Sequence, residues 1–112
     1  MELKIELENL DSTPSIKEYI EDKILPLGSI LKKWEEEGSV LARFELSRST
    51  NHHHKGDVYY AEVNLTVGGK LLRAECEGDD VHGVIDKVKD KIKKEAVSFK
   101  EKTSSLEKFG HK

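Results

Sequence analysis

Four segments of the chain alternate between apolar and polar residues, which is the period expected of β-strands that bury one face. The segments cover residues 1–9, 40–49, 58–67 and 71–77. Their predicted inward residues are Leu3, Ile5 and Leu7, then Val40, Ala42, Phe44 and Leu46, then Tyr59, Ala61, Val63, Leu65 and Val67, and finally Leu72, Ala74 and Cys76. Gly68 and Gly69 supply the positive φ angles that a tight hairpin needs, so the last two strands should be antiparallel neighbours.

The segment after the first strand has a different pattern, with apolar residues spaced three and four apart. A helix is expected from about Pro14, because Ser12 and Thr13 are good N-cap residues and proline is favoured in a first helical turn. Pro26 removes one backbone hydrogen bond from this helix, and Gly28 weakens the next turn. The pattern therefore predicts a kink or a break near Pro26.

The clearest element is a second helix that begins after Asp79 or Asp80, either of which suits an N-cap. Its apolar residues form one stripe with spacings of three and four. The stripe consists of Val81, Val84, Ile85, Val88, Ile92, Ala96 and Phe99. Residues 103–112 contain too few apolar residues to add a core element, so we expect a single domain over residues 1–102 and a flexible C-terminal tail over residues 103–112.

The order of these elements is strand, helix, strand, strand, strand, helix, which predicts an α+β fold. The long first helix fits a right-handed crossover that sets the first strand parallel to the second, and the last three strands form an antiparallel meander. Because each strand has one apolar and one polar side, we expect a four-stranded mixed sheet with two helices packed on one face and the other face open.

The composition fits one small globular domain. With 112 residues, of which 36% are apolar, the chain can form one modest core, and the regular spacing of the apolar residues argues against disorder despite 37% charged residues. Cys76 has no partner for an intramolecular disulfide, and no export leader or membrane-length apolar run is evident. We therefore expect a cytoplasmic location and no membrane partner.

Charge is distributed unevenly along the chain. The net charge of −3 argues by itself against a nucleic-acid partner, but residues 80–102 hold seven lysines against five acidic residues, a local net charge of +2. At about 100° per residue, Lys87, Lys91, Lys94 and Lys102 follow one flank of the apolar stripe, and Lys89, Lys93 and Lys100 follow the other. Lysines beside an apolar stripe are also typical of a solvated helix surface, so their spacing leaves solvation and phosphate binding both open.

Three consecutive histidines, His52, His53 and His54, lie in a polar segment that is expected to connect two strands. Imidazole is a common metal ligand, but no Cys or second His cluster lies nearby in sequence to complete a site, so no metal is expected. Two interpretations remain, a plain polar loop or an exposed tip that meets phosphate or nucleobase edges together with Lys55.

No catalytic residues are predicted. Cys76 falls at an inward strand position, where it acts as a small apolar side chain, and the chain has no nucleotide-binding glycine motif, P-loop or triad spacing. We expect no enzyme activity, no cofactor and no small-molecule substrate.

Glu is the most frequent residue at the outward strand positions, and Tyr60 is the only aromatic residue among them. RNA-recognition domains stack bases on several aromatic residues across a sheet, so any RNA should meet the helices or loops instead. The acidic open face also suggests an alternative function, a protein-interaction module that acts through this face.

Three stretches of the sequence resemble one known family. They are residues 56–65 (GDVYYAEVNL), residues 71–75 (LLRAE) and residues 77–87 (EGDDVHGVIDK), the last of which is the most specific. Together they look like the short form of the ribosome hibernation-promoting factor and ribosome-associated inhibitor A family, and the resemblance extends to about Lys102. At Gly83 that family has Ala, and the change weakens the start of the helix by roughly 1 kcal/mol.

The resemblance implies a fold related to double-stranded-RNA-binding domains and a role in silencing idle ribosomes during stress. It implies binding to ribosomal RNA in the decoding region of the small ribosomal subunit, where the domain blocks messenger and transfer RNA. The positions that match the family's RNA-contacting lysines are Lys23, Lys91, Lys94, Lys100 and Lys102, and Lys87 joins them from the same helix flank.

Overall fold

The computed structural model is an α+β fold in which helices cover one face of a four-stranded sheet, as the sequence predicts. It describes residues 1–50 and 56–110, and the side chains of residue 50 and residues 105–110 lie outside that description. In chain order the elements are β1 (Glu2–Glu8), α1 (Pro14–Ile24), α2 (Leu27–Ile30), α3 (Lys32–Glu36), β2 (Val40–Thr50), β3 (Asp57–Val67), β4 (Lys70–Gly78) and α4 (Val81–Gly110).

The sheet has the strand order β1-β2-β3-β4. β1 runs parallel to β2, and the three remaining strands form an antiparallel meander, which confirms the predicted crossover and hairpins. Gly68 and Gly69 have φ angles of 54° and 85°, so the two-residue turn between β3 and β4 uses the backbone freedom that glycine provides. β1 and β4 are the edge strands.

The core lies between the sheet and the helices. The predicted inward residues of β2 and β3 are buried apart from Tyr59, which is half-buried, whereas those of β1 are half-buried at the sheet edge. The largest fully buried side chains include Phe44, Leu65, Ile85 and Ile92. α4 packs across β3 and β4, so its apolar stripe supplies much of the layer above the sheet.

The first helical region is broken in two places. The predicted break near Pro26 is confirmed, because α1 ends at Ile24 and α2 begins at Leu27. A second break, which the sequence did not predict, occurs at Leu31, whose φ and ψ of −104° and 35° are not helical. Four helical segments therefore cover the sheet instead of two, and the second break lets both Leu31 and Trp34 reach the core.

α4 begins as predicted and is the longest helix of the described structure. Asp80 is its N-cap, since its Oδ2 accepts a hydrogen bond from the backbone N–H of Gly83 at 2.8 Å. The helix continues to Gly110, beyond residue 102, where the sequence analysis sets the domain boundary.

Candidate nucleic-acid interface

α4 has two flanks that face different parts of the fold. One flank packs beside α1, and the other lies above the free edge of β4. Helical geometry and the contacts described below place four of the predicted lysines on the β4 side. These are Lys87, Lys91, Lys94 and Lys102, which we call the lysine flank, and all four are exposed.

Lys91 links the lysine flank to the sheet. Its Nζ donates a hydrogen bond to the backbone carbonyl of Glu75 in β4 at 3.0 Å. Edge strands carry unpaired backbone groups, and a lysine is a common means of blocking such an edge. Lys91 therefore has a structural contact in addition to the RNA contact that the resemblance implies.

A groove of about 470 Å³ separates the C-terminal half of α4 from β4. It brings Lys102 close to Lys70 and Arg73 of β4, with Glu95 also at its wall. Lys70 was not predicted from the sequence, because it directly follows the glycine turn and gives no periodic signal. Its exposure beside Lys102 extends the lysine flank onto the sheet edge.

Lys87 and Lys94 have no ion pair among the side chains that the structure describes, so their charges are available to an anionic partner. Lys94 shares a second groove, of about 480 Å³, with Asp90, Lys93 and Glu101 on the solvent side of α4. The two acidic residues lower the local positive potential there. The groove beside β4 has Glu95 as its one acidic lining residue, so cations outnumber acids more strongly on that side.

Lys23 lies on the opposite flank, in the joint between α1 and α4. Its Nζ is 3.3 Å from Asp86 Oδ1 and 5.3 Å from the centre of the Tyr19 ring. Tyr19 OH donates to the same Asp86 oxygen at 2.8 Å, and the Tyr19 and His82 rings meet edge to face at 4.6 Å. The structure thus gives Lys23 a partner within the domain and does not group it with the lysine flank.

The charges in this joint are mutually stabilised. The hydrogen bond with Asp86 raises the pKa of the Lys23 ammonium. For Asp86 itself, partial burial raises the pKa, but hydrogen bonds from Tyr19 and Lys23 outweigh it, so the pKa lies below its usual value.

Lys100 falls on the same side of α4 as this joint, about 200° around the helix from Lys102.

The remaining predicted contacts, His52, His53, His54 and Lys55, lie outside the described residues. Among the residues that the structure describes, no group of three or more His, Cys, Asp or Glu side chains is arranged to hold a metal ion. Within the same part of the chain, no helix combines the length and apolar character needed to cross a membrane.

The open face of the sheet carries charge in rows that cross all four strands. Register places Glu6, Glu45, Glu62 and Glu75 side by side in one row, and Lys4, Arg43, Asn64 and Arg73 in the next. Both arginines bridge the two rows. Arg43 contacts Glu6 at 2.9 Å and Glu45 at 3.1 Å. Arg73 contacts Glu62 at 2.7 Å and Glu75 at 3.0 Å.

Tyr60 is tied into the acidic row and does not present a free hydroxyl. Its OH donates to Glu75 at 2.7 Å and lies 3.2 Å from a carboxylate oxygen of Glu62. Hydrogen bonding to Glu75, together with burial, raises the pKa of Tyr60 to about 12. A base stacked on the Tyr60 ring would bring its own phosphate close to the neighbouring carboxylates, which repel it. The ring is therefore a poor stacking platform for RNA.

The geometry defines the class of protein. It is an α+β domain with one open sheet face and one helix flank that carries exposed lysines. The chain belongs to the family described as sigma 54 modulation protein / S30EA ribosomal protein, whose model matches residues 3–104. This confirms the family resemblance seen in the sequence.

Two solved structures share the fold. The Protein Y N-terminal domain from Thermus thermophilus is similar with a TM-score of 0.69 and 25% identity, covering 88% of this chain and 99% of that one. A ribosomal subunit interface protein from Coxiella burnetii has a TM-score of 0.61 and 17% identity, covering 89% of this chain and 98% of that one. A comparison with curated proteins found no match.

Proposed function

We propose that this chain is a non-enzymatic regulator of translation that binds the small ribosomal subunit through ribosomal RNA. The observation that carries the proposal is the family match over residues 3–104, a family described in part as a ribosomal protein. A protein of the same fold is described as a ribosomal subunit interface protein, which agrees with this function.

The lysine flank is the surface that we assign to RNA. Lysines 87, 91, 94 and 102 are exposed on one side of α4, and Lys70 extends them onto β4. Electrostatic contact with phosphates releases bound counterions, so binding through this flank should weaken as salt rises. The opposite, open face carries a surplus of Glu and would repel the same phosphates.

We further propose that the domain occupies the decoding region and blocks messenger and transfer RNA by occupying their space. Occlusion requires a rigid body and a binding surface, and no reactive group. A single packed layer of helices on a four-stranded sheet provides the rigid body. The family match and the lysine flank support this function.

The test is co-sedimentation with purified small subunits across a salt series, with cell-free translation measured in parallel. Lys87→Gln with Lys94→Gln should weaken binding by about tenfold for each lysine, which is about 1.4 kcal/mol each. The double variant should also lower the salt slope by about 1 for each phosphate that is no longer neutralised. Translation should recover to the same extent, because inhibition follows occupancy.

The matched control is Lys17→Gln with Lys32→Gln, which removes two exposed lysines from α1 and α3. This variant has the same net charge and should bind like the wild-type chain. An equal fall in affinity for both double variants would show a non-specific charge effect and contradict the assignment of the flank. Tight binding by the wild-type chain with translation unaffected would contradict occlusion.

A further inference from the structure

Two leucines on the open sheet face are unusually exposed. Leu41 is 48% exposed and Leu71 is 58% exposed, and both exceed any other large apolar side chain in the described part of the chain. Register places them in one row, with Thr66 between them on β3. A groove of about 290 Å³ adjoins this row and is lined in part by Leu41, Ala42 and Thr66. Clustered apolar exposure of this kind is typical of a contact surface.

The rest of the open face carries a surplus of negative charge. Seven glutamates point outward, against Lys4, Arg43 and Arg73. The two arginines are shared among the four glutamates of the acidic row. Glu2, Glu8 and Glu77 have no ion pair among the described residues. The seven glutamates outnumber the three cations by four, which gives the face a net charge of −4.

The exposed leucine row and the surplus of negative charge together favour one kind of partner. Phosphates are repelled by the surplus of Glu, and aliphatic leucines do not provide the ring faces on which bases stack. A polypeptide with Lys or Arg side chains and an aliphatic side chain complements both features, because its cations can pair with the glutamates while the aliphatic group covers the leucine row.

We infer that the open face docks a Lys- and Arg-rich segment of a ribosomal protein. The inference rests on the proposed function, in which the lysine flank contacts ribosomal RNA. Protein segments that lie against RNA are rich in Lys and Arg because they neutralise phosphates. The domain then has two faces of opposite charge, with RNA on the α4 side and a basic protein segment on the open side of the sheet.

Photo-cross-linking on purified small subunits tests the inference. The photoreactive residue p-benzoylphenylalanine is placed at Leu41 in one variant and at Ser98, between Lys94 and Lys102 on the lysine flank, in another. Leu41 is chosen over Leu71 because Leu71 also lines the groove between α4 and β4. From position 41 we expect cross-links to a protein segment rich in Lys and Arg, identified by sequencing the linked peptide. From position 98 we expect cross-links to RNA.

Several outcomes separate the two proposals. Cross-links from position 41 to RNA, or to a segment without basic residues, would overturn the inference and leave the proposed function intact. The same conclusion follows if position 98 cross-links and position 41 does not. Failure of the wild-type chain to bind subunits would overturn both.

A second measurement compares affinities. Leu41→Ser should weaken binding to intact subunits by about fivefold, and should leave binding to protein-free small-subunit RNA unchanged. The matched control is Leu25→Ser, since Leu25 is 43% exposed on the helical side. Unchanged affinity of the Leu41 variant for intact subunits would contradict docking by the leucine row.

Discussion

At the scale of single residues, Asp86 is the point at which α1 and α4 are joined. It accepts a hydrogen bond from Tyr19 and pairs with Lys23, and both partners come from α1. These contacts hold its pKa below the usual value. A carboxyl with a lowered pKa in the folded state stabilises the fold above its ordinary pKa and ceases to do so as pH falls through the folded value.

We therefore expect the dependence of stability on pH to reveal the contribution of the Asp86 contacts between α1 and α4. Asp86→Asn should lower stability at neutral pH by about 1 kcal/mol, because a hydrogen bond to a charged acceptor is weakened. It should also flatten the decline of stability on acidification below about pH 4, where the wild-type carboxylate becomes protonated. Urea unfolding at a series of pH values measures both effects.

Asp90→Asn is the control for this prediction, because Asp90 is one turn further along α4 and exposed, with a contact only to Lys89 at 3.4 Å in the described residues. It should change stability little at any pH. An identical pH profile for the Asp86 variant and the wild-type chain would show that the α1–α4 joint does not depend on this charge.

A second prediction at this scale concerns the glycine turn. Gly68 and Gly69 both have positive φ, but only at Gly68 would a Cβ meet a neighbour, 2.9 Å from Cδ1 of Trp34. Gly69→Ala should cost about 1 kcal/mol for its backbone conformation alone. Gly68→Ala should cost clearly more, because Trp34 must shift as well. Thermal unfolding of the two variants isolates the Trp34 contact, and equal destabilisation would show that the indole moves freely.

At the scale of elements, the start of α4 depends on one cap. Asp80→Ala removes the acceptor for the Gly83 N–H and should lower stability by about 1 kcal/mol. Asp79→Ala is the neighbouring control and should have little effect, because Asp79 is exposed and makes no cap contact in the described structure. Chemical denaturation compares the two, and equal destabilisation would contradict the assigned cap.

The same cap should make Gly at position 83 less harmful than helix propensity suggests. A Cβ at Gly83 would lie 3.0 Å from Asp80 Oδ2, the atom that makes the cap. Gly83→Ala should therefore gain less than the roughly 1 kcal/mol that propensity predicts. In an Asp80→Ala background the full gain should appear, and a double-mutant cycle measures the difference.

At the scale of the whole molecule, the proposed domain ends before the helix does. The last side chain of α4 that packs on the core cluster in the described structure is Phe99, whose ring lies 5.0 Å from that of Trp34. A chain of residues 1–102 keeps this contact and every lysine of the flank. We expect its melting temperature to stay within about 4 °C of the full chain, a destabilisation of about 1 kcal/mol or less.

Small-subunit binding by this truncated chain should equal that of the full chain, measured by the same co-sedimentation. A large fall in stability would show that residues 103–110 support the core. A fall in affinity at unchanged stability would assign them a part in the interface. The flexibility predicted for residues 103–112 remains a prediction.

Much of the fold could be predicted from the sequence. The side of a strand or helix on which a side chain lies depends on its place in the local repeat, and that repeat is visible in the sequence. Alternation identified all four strands and the inward residues Phe44 and Leu65, and spacing of three and four identified α4. The break at Leu31 was not predictable, since no Gly or Pro marks it and the core in which Leu31 and Trp34 are buried includes strands distant in sequence. Lys70 was missed for a similar reason, because its neighbour Lys102 is distant in sequence.

The sequence alone determined the order and faces of the elements, the family, and the presence of lysines on α4. Only the tertiary structure decided which flank of α4 lies over the β4 edge, that Lys23 pairs with Asp86, and that the glutamates of four strands share one row. The first group depends on contacts within a few residues of the chain. The second depends on strand register and helix packing, which join residues far apart in sequence and so leave no local pattern.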